Sequence, residues 1–415
     1  MVKLLILADD FTGALDTGVK CADAGISTQV VVASDYNFDL IDGHIDVVVM
    51  DLQSRHMPPE DAYKTVYKIS KQAKEKGIPH ILKKTDSGLR GNIGSELTAL
   101  YDAYEEPVLP FIPALPVMGR VTVDGVHFSD GVPISQTVFG KDPFSPVKYS
   151  SVSDIIKDQS QVPTHVIAKD KFVQDQQGIL VFDCETDENI LTIAKKLYDH
   201  GKLSIMAGCS GIGSVLPQVL GLQGTKNQTF EKTDRFIVIC GSVNPITTAQ
   251  VINAENNGFL HIPISIEEKM DANYWLTDSG KIRANEIYQS TISNPKVVIS
   301  SFDANDSKVT LEHGEKLGLS PKQIGQRIAD SMGQLLKLLI DLNDQSKVTY
   351  LVTGGDTLLG FMGAIDKKEL DMVTEILPGS VLSKFVYDQK VLQVISKSGG
   401  FGQEDLFTKI AEKLR

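Results

Sequence analysis

Two loops in the first half of the chain concentrate side chains that handle anions and hydroxyls. Ala8-Asp9-Asp10-Phe11-Thr12-Gly13 sets adjacent carboxylates between an apolar run and a glycine-containing turn. Such an acid can hold substrate hydroxyls, act as a base or sit near Mg²⁺. The same stretch also suits a plain helix start, with Thr12 as its cap and the acids beside the positive helix end. If the strand continues through them, Asp9 and Asp10 point to opposite sides, so one of them need face a ligand. Lys83-Lys84-Thr85-Asp86-Ser87-Gly88-Leu89-Arg90 then gathers two lysines, an aspartate, a serine and an arginine. Cations at a helix N-terminus attract carboxylate or phosphate through charge and through free N–H groups.

Arginine placement sharpens this reading. Residues 1–220 contain only Arg55, Arg90 and Arg120. Each falls in a segment expected to follow a strand: Gln53-Ser54-Arg55-His56, the cluster above, and Pro116-Val117-Met118-Gly119-Arg120. The planar guanidinium fork binds a carboxylate bidentately, so three converging forks suit an acidic substrate, although each alone serves equally as a structural ion pair. Substrate contacts are therefore expected from Asp9, Thr12, Arg55, Lys84, Asp86, Ser87, Arg90, Gly119 and Arg120. Asp86, Asp10, Lys84 and Arg90 are the candidates for chemistry.

The second half carries glycine instead of cations. Cys240-Gly241-Ser242-Val243-Asn244-Pro245, Thr353-Gly354-Gly355-Asp356-Thr357 and Lys397-Ser398-Gly399-Gly400-Phe401-Gly402 each follow an apolar run. Glycine lets backbone N–H groups approach phosphates, and a following helix offers its positive end. Three such loops point to a nucleotide, held by Ser242, Thr353, Gly354, Gly355, Asp356, Thr357, Gly399 and Gly400. No GxxxxGK[ST] occurs, and no GxGxxG follows the first strand of either half, so neither a P-loop nor a dinucleotide fingerprint applies. No HExxH or close His/Cys cluster marks a zinc site, and metal ligands stay unassigned. His44, His56, His80 and His127 are scattered, and His80 is expected to pack or cap.

The elements that must position these loops alternate strand and helix. Val2–Ala8, Gln29–Ala33, Asp46–Met50, His80–Lys84 and Val108–Ile112 read as strands. Gly13–Ala24, Glu60–Lys76 and Gly91–Tyr104 read as the helices between them. Ser129-Asp130-Gly131 reads as a hairpin turn inside an antiparallel insertion near Arg120–Thr137. Gly178–Asp183 and Leu203–Gly208 resume the parallel pattern. The polar, aperiodic Gly221–Asp234 reads as a linker, and the alternation restarts with Phe236–Cys240, Lys296–Ser301, Val348–Val352 and Lys390–Ser396. The expected fold is α/β in two domains, 1–225 and 232–415, each a mostly parallel sheet flanked by helices. In open α/β sheets ligands bind where strands end.

The 415 residues suit two domains, and a hydrophobic share of 42% with 23% charged residues is ordinary for a globular chain. A net charge of -12 argues against nucleic acid or an anionic membrane as partner. No apolar run reaches spanning length, and the apolar start meets Asp9 too early for a signal peptide. Cys21, Cys184, Cys209 and Cys240 form no CxxC pair and read as buried thiols of a cytoplasmic protein.

These loops together resemble the four-carbon acid sugar kinase family. The matching stretches are Ala8–Asp16, Lys83–Asn92 and Pro113–Gly125, then Gly241–Pro245, Thr353–Thr357 and Lys397–Gly402, in order along nearly the whole chain. The resemblance implies an N-terminal substrate domain, a C-terminal ATP domain and an active site in the cleft between them. It implies transfer of the γ-phosphoryl group of ATP, with Mg²⁺, to the terminal hydroxyl of a tetronate. Two positions depart: Gly88 stands where the family often has threonine, and Met118-Gly119-Arg120-Val121 where it often has asparagine-glycine-arginine-threonine. Val138–Phe144 and Asp16-Thr17-Gly18 resemble the threonate/erythronate branch. The expected substrate is D-threonate, with D-erythronate and 3-oxo-tetronate as alternatives and a homodimer left open. A sugar-acid or nucleotide-binding regulator without catalysis is the competing class.

Overall fold

The computed structural model describes residues 2–33, 37–169, 171, 176–224, 230–241, 244–302, 306–343 and 346–415, with backbone alone at 306–308. The chain forms two compact units, Met1–Gln228 and Thr229–Arg415. The polar stretch Gly221–Asp234 includes residues 225–229, outside the described residues.

The first unit contains β1 (Leu4–Ala8), α1 (Phe11–Asp23), β2 (Thr28–Val32), β3 (Val47–Asp51), α2 (Pro59–Glu75), β4 (His80–Lys84), α3 (Ile93–Tyr104) and β5 (Val108–Ile112). A three-stranded antiparallel insertion follows, of β6 (Arg120–Val123), β7 (Val126–Ser129) and β8 (Val132–Pro133). Then come α4 (Val152–Lys157), β9 (Thr164–Ile167), β10 (Gly178–Phe182), α5 (Asp187–Asp199), β11 (Ile205–Gly208) and α6 (Ser210–Val219). The main strands run parallel in the order β2-β3-β1-β4-β11-β5-β10-β9. Every residue of β1, β3 and β5 is buried, as befits parallel strands covered by helices on both faces.

The insertion is folded by its turns. Asp124-Gly125 and Asp130-Gly131 all have positive φ (50°, 73°, 52° and 77°). Two such residues in succession make the hairpin turn that matches strand twist. The hairpin expected at Ser129-Asp130-Gly131 is present, with β6 as a third strand beside it.

The second unit contains β12 (Arg235–Cys240), α7 (Pro245–Asn256), β13 (Leu260–Pro263), α8 (Ile266–Met270), α9 (Asp278–Ser293), β14 (Lys296–Ser300), α10 (Asp306–Lys316) and α11 (Pro321–Leu342). It closes with β15 (Val348–Thr353), α12 (Gly355–Ala364), β16 (Glu369–Leu377), β17 (Ser380–Tyr387), β18 (Lys390–Lys397) and α13 (Leu406–Lys413). Strands β13-β14-β12-β15-β18 are parallel neighbours, and β17 and β16 continue antiparallel. Strands β16 and β17 are additions to the strands expected from the sequence. Leu370, Met372, Val373, Ile376 and Leu377 recur at a spacing that fits a helix as well as a strand, which hides β16. The turn to β18 is again two residues of positive φ, Asp388 and Gln389.

Candidate active site

In the first unit β1 is the point where strand order reverses. Strands β3 and β2 lie on one side of it, and β4, β11 and β5 on the other. The loops leaving β1 and β4 therefore part from each other and open a crevice at the strand ends. Register places those ends side by side: Ala8 pairs with Asp51 and with Lys84, and Gly208 with Lys84 and Ile112.

The side chains on these ends form one charge network. Arg55 donates from Nε to Asp9 Oδ2 at 2.7 Å and from Nη1 to Asp10 Oδ2 at 3.0 Å, with Nη2 2.7 Å from Asp10 Oδ1. Its Nη2 also lies 3.5 Å from Asp86 Oδ1. Lys84 Nζ stands 3.7 Å from Asp9 and 3.6 Å from Asp10. Arg90 grips Asp86 through Nε and Nη2 and reaches Asp142 through Nη1 at 3.1 Å. Burial pushes the carboxyls of Asp9 and Asp86 up, but the Arg55 charge and its neighbours outweigh it and hold both below the usual range. Arg55, Arg90 and Lys84 are held correspondingly more basic against the cost of burial.

Asp10, not Thr12, caps α1, accepting from Gly13 N–H at 3.1 Å. Thr12 lies half-buried within the first turn. The strand ends at Ala8, and both aspartates turn to the same guanidinium. Lys83 leaves the cation cluster altogether. It is fully buried, donates to the carbonyls of Leu7 and Lys84, and pairs with Glu96 at 3.1 Å. Glu96 also accepts from Ser54 Oγ, which anchors the residue beside Arg55.

Arg120 opens β6, after Gly119 at φ 66°. Its guanidinium stacks over the Phe139 ring at 5.1 Å, and that of Arg90 does so at 5.3 Å. Among the described residues Arg120 has no ion pair, and its buried Nε has no hydrogen-bond partner. It is thus the guanidinium of this cluster that stands without an ion pair among the described residues. Gly88 lies against the same ring, and a Cβ there would overlap it. Ser87 presents its carbonyl to His127 Nε2–H at 3.0 Å, while His127 Nδ1 accepts from Thr122 Oγ1. Burial pushes His127 down to about 4, so the neutral ring fixes the loop. His80 packs as expected, with Nδ1 2.7 Å from the Leu203 carbonyl.

Sequence reasoning missed Asp51, Asp142, Glu96 and His127 as members of this assembly. Asp51 closes β3 and burial pushes it up to about 7, with Asp10 and Asp9 adding to the effect. An aspartate ending the wholly apolar run Val47–Met50 was the available signal.

In the second unit Cys240, Thr353 and Lys397 stand side by side at the ends of β12, β15 and β18. The order β14-β12-β15 again reverses at this point. Gly241 lies against Thr357, where a Cβ would overlap the hydroxyl. Gly354, at φ 95°, is the N-cap position of α12 and supplies no side-chain cap, leaving first-turn N–H groups available. Asp356 is exposed in that turn, and Gly355 is its first residue. Thr247 Oγ1 donates to the Gly399 carbonyl at 2.8 Å, tying the Gly399-Gly400 turn to α7. Ser242 lies outside the described residues. These loops fit a polyphosphate. Among the described residues no three His, Cys, Asp or Glu side chains gather as a metal cage. Magnesium bound to substrate phosphates needs only one or two carboxylates, which Asp356 fits.

Residues 4–216 match the sugar-binding N-terminal domain and residues 237–407 the nucleotide-binding C-terminal domain. The chain belongs to the four-carbon acid sugar kinase family, and its class is that of a phosphotransferase. A D-threonate kinase of Salmonella typhimurium is 27% identical, over 97% of this chain and 96% of the relative. A D-erythronate kinase of Heliobacterium modesticaldum is 25% identical over 100% and 99%, and a 3-oxo-tetronate kinase of Haemophilus influenzae 24% over 97% and 97%. A solved structure of a Salmonella typhimurium protein shares the fold with a TM-score of 0.82 at 20% identity, covering 100% of both chains. One from Haemophilus influenzae does so with 0.78 at 22%, covering 99% and 100%. Among the described residues no helix is long and apolar enough to cross a membrane.

Proposed function

We propose that the chain transfers the γ-phosphoryl group of ATP to the 4-hydroxyl of a four-carbon sugar acid, D-threonate foremost. D-Erythronate and 3-oxo-tetronate are the neighbouring alternatives, named by the relatives above. The observation that carries the acidic substrate is Arg120, a guanidinium on Phe139 with no ion pair among the described residues, beside an otherwise neutralised network. A carboxylate completes it bidentately.

The remaining roles follow from exposure and charge. Asp10 is the most accessible acid of the network, at 27% against 2% for Asp9 and 8% for Asp86. It accepts the proton side of the attacking hydroxyl and orients it. Arg55, Asp9 and Asp86 hold that geometry. Lys84, 3.6 Å from Asp10, offsets charge on the phosphoryl group as it moves. The glycine loops of the second unit hold ATP. Asp356, an exposed acid in the first turn of α12, would help hold Mg²⁺ carried with the phosphates, and that ion would supply neutralisation of developing charge.

The test is ADP release by the full chain with ATP and each tetronate, beside threitol, which lacks the carboxylate. Loss of a buried charge pair predicts a kcat/KM for threitol lower by a factor of roughly tens to thousands. Equal rates with threitol and D-threonate overturn the reading.

A further inference from the structure

We propose that Lys397, held in position by Thr247, binds the polyphosphate of the nucleotide and supplies its counter-charge in the C-terminal unit. The inference rests on the nucleotide reading of this unit and assigns a cation to it.

Lys397 is the last residue of β18 and only 2% exposed. Its Nζ donates to the Gly399 carbonyl at 3.1 Å and to Thr247 Oγ1 at 3.2 Å. Thr247 spends its own proton on Gly399, so its oxygen can only accept from the ammonium. Both partners are neutral. Among the described residues no carboxylate lies within ion-pair distance of Lys397, and one of its three N–H donors is unspent. The buried lysines of the first unit are built differently: Lys83 has Glu96, and Lys84 has Asp9 and Asp10. A buried ammonium without a counter-charge is costly, and the cost is relieved by an anion that arrives later.

The position says which anion. Lys397 is paired in register with Thr353, and its carbonyl accepts from Gly354 N–H at 2.9 Å. Gly354 is the N-cap position of α12, whose first turn lacks a side-chain cap. Thr247 belongs to the first turn of α7, the helix that follows the Gly241 loop. One buried cation, an uncapped helix start and two glycine turns therefore meet at the strand-order reversal of the second unit. Burial pushes Lys397 down to about 8, the direction expected of an ammonium still waiting for its anion.

The test compares the full chain with Lys397→Met and Lys397→Arg by calorimetric titration with ADP and with adenosine, alongside thermal melts. The expected result is ADP affinity weakened about 10- to 100-fold in Lys397→Met, as for a lost hydrogen bond to a charged group, with adenosine affinity unchanged. Lys397→Arg recovers part of the ADP affinity. The melting temperature of ligand-free Lys397→Met is equal to or above that of the parent, because a buried unpaired charge is gone. ADP binding as tight in Lys397→Met as in the parent overturns the proposal, as does equal weakening toward ADP and adenosine. A parent chain that binds no ADP overturns the nucleotide reading itself.

Discussion

Arg90 holds Asp86 in a two-pronged grip, Nε to Oδ2 at 2.8 Å and Nη2 to Oδ1 at 3.0 Å, four residues apart in one loop. The same aspartate oxygen accepts from the backbone N–H groups of Gly88 and Arg90, each at 3.2 Å. The pair is 27% and 8% exposed, so it is a part-buried clamp on the loop and not a solvated surface ion pair. Arg90→Ala leaves Asp86 buried and short of a partner, at a cost of about 2–5 kcal/mol. We expect kcat/KM to fall by a factor of roughly tens to thousands. Arg90→Lys keeps the charge but not the fork, and recovers only part. Near-parental kcat/KM in folded Arg90→Ala removes this clamp from the account.

Gly88 faces the Phe139 ring that carries both Arg90 and Arg120. Gly88→Thr must displace that ring, and overpacking of this kind costs about 1–3 kcal/mol. The KM for the sugar acid should rise well beyond that for ATP. Adding Phe139→Ala makes room and should cost less than the sum of the two single changes. Additive effects in this cycle, or an unchanged sugar-acid KM in Gly88→Thr, contradict the contact.

Asp51 gives a pH signature. Burial and the nearby Asp10 and Asp9 raise its pKa from 3.8 to about 7 in the folded chain. The folded state therefore holds the proton more tightly than the unfolded state. Its contribution is fully present below about 4 and is lost as pH rises through about 7. Asp51→Asn cannot ionise and escapes that loss. Melting curves from pH 5 to pH 8 should show the variant gaining on the parent as pH rises. A constant difference across that range shows that Asp51 does not titrate there.

Much of this was legible in residue types. The strand β4 and the strand β5 run over the ranges that apolar runs marked, because both are buried on two faces and bounded by turn residues. The clustering of Asp9, Asp10, Arg55, Lys84, Asp86 and Arg90 followed from loops at one sheet edge. What stayed hidden was direction. Nothing in Lys83-Lys84 says that one lysine turns inward to Glu96 and the other toward Asp9, since strand alternation gives opposite faces but not which is which. Asp142 and Phe139 escaped for a different reason: they reach Arg90 from about fifty residues away, and long-range contacts leave no local pattern.

The central claim is phosphoryl transfer to the terminal hydroxyl of a four-carbon sugar acid. Phosphorus-proton correlation NMR of the product formed from ATP and D-threonate by the full chain tests it most directly. The account predicts one ADP released per product molecule, with phosphorus coupled to the two protons of the terminal CH₂. ADP and free phosphate without an organic phosphate, or a phosphate on a secondary hydroxyl, contradicts it.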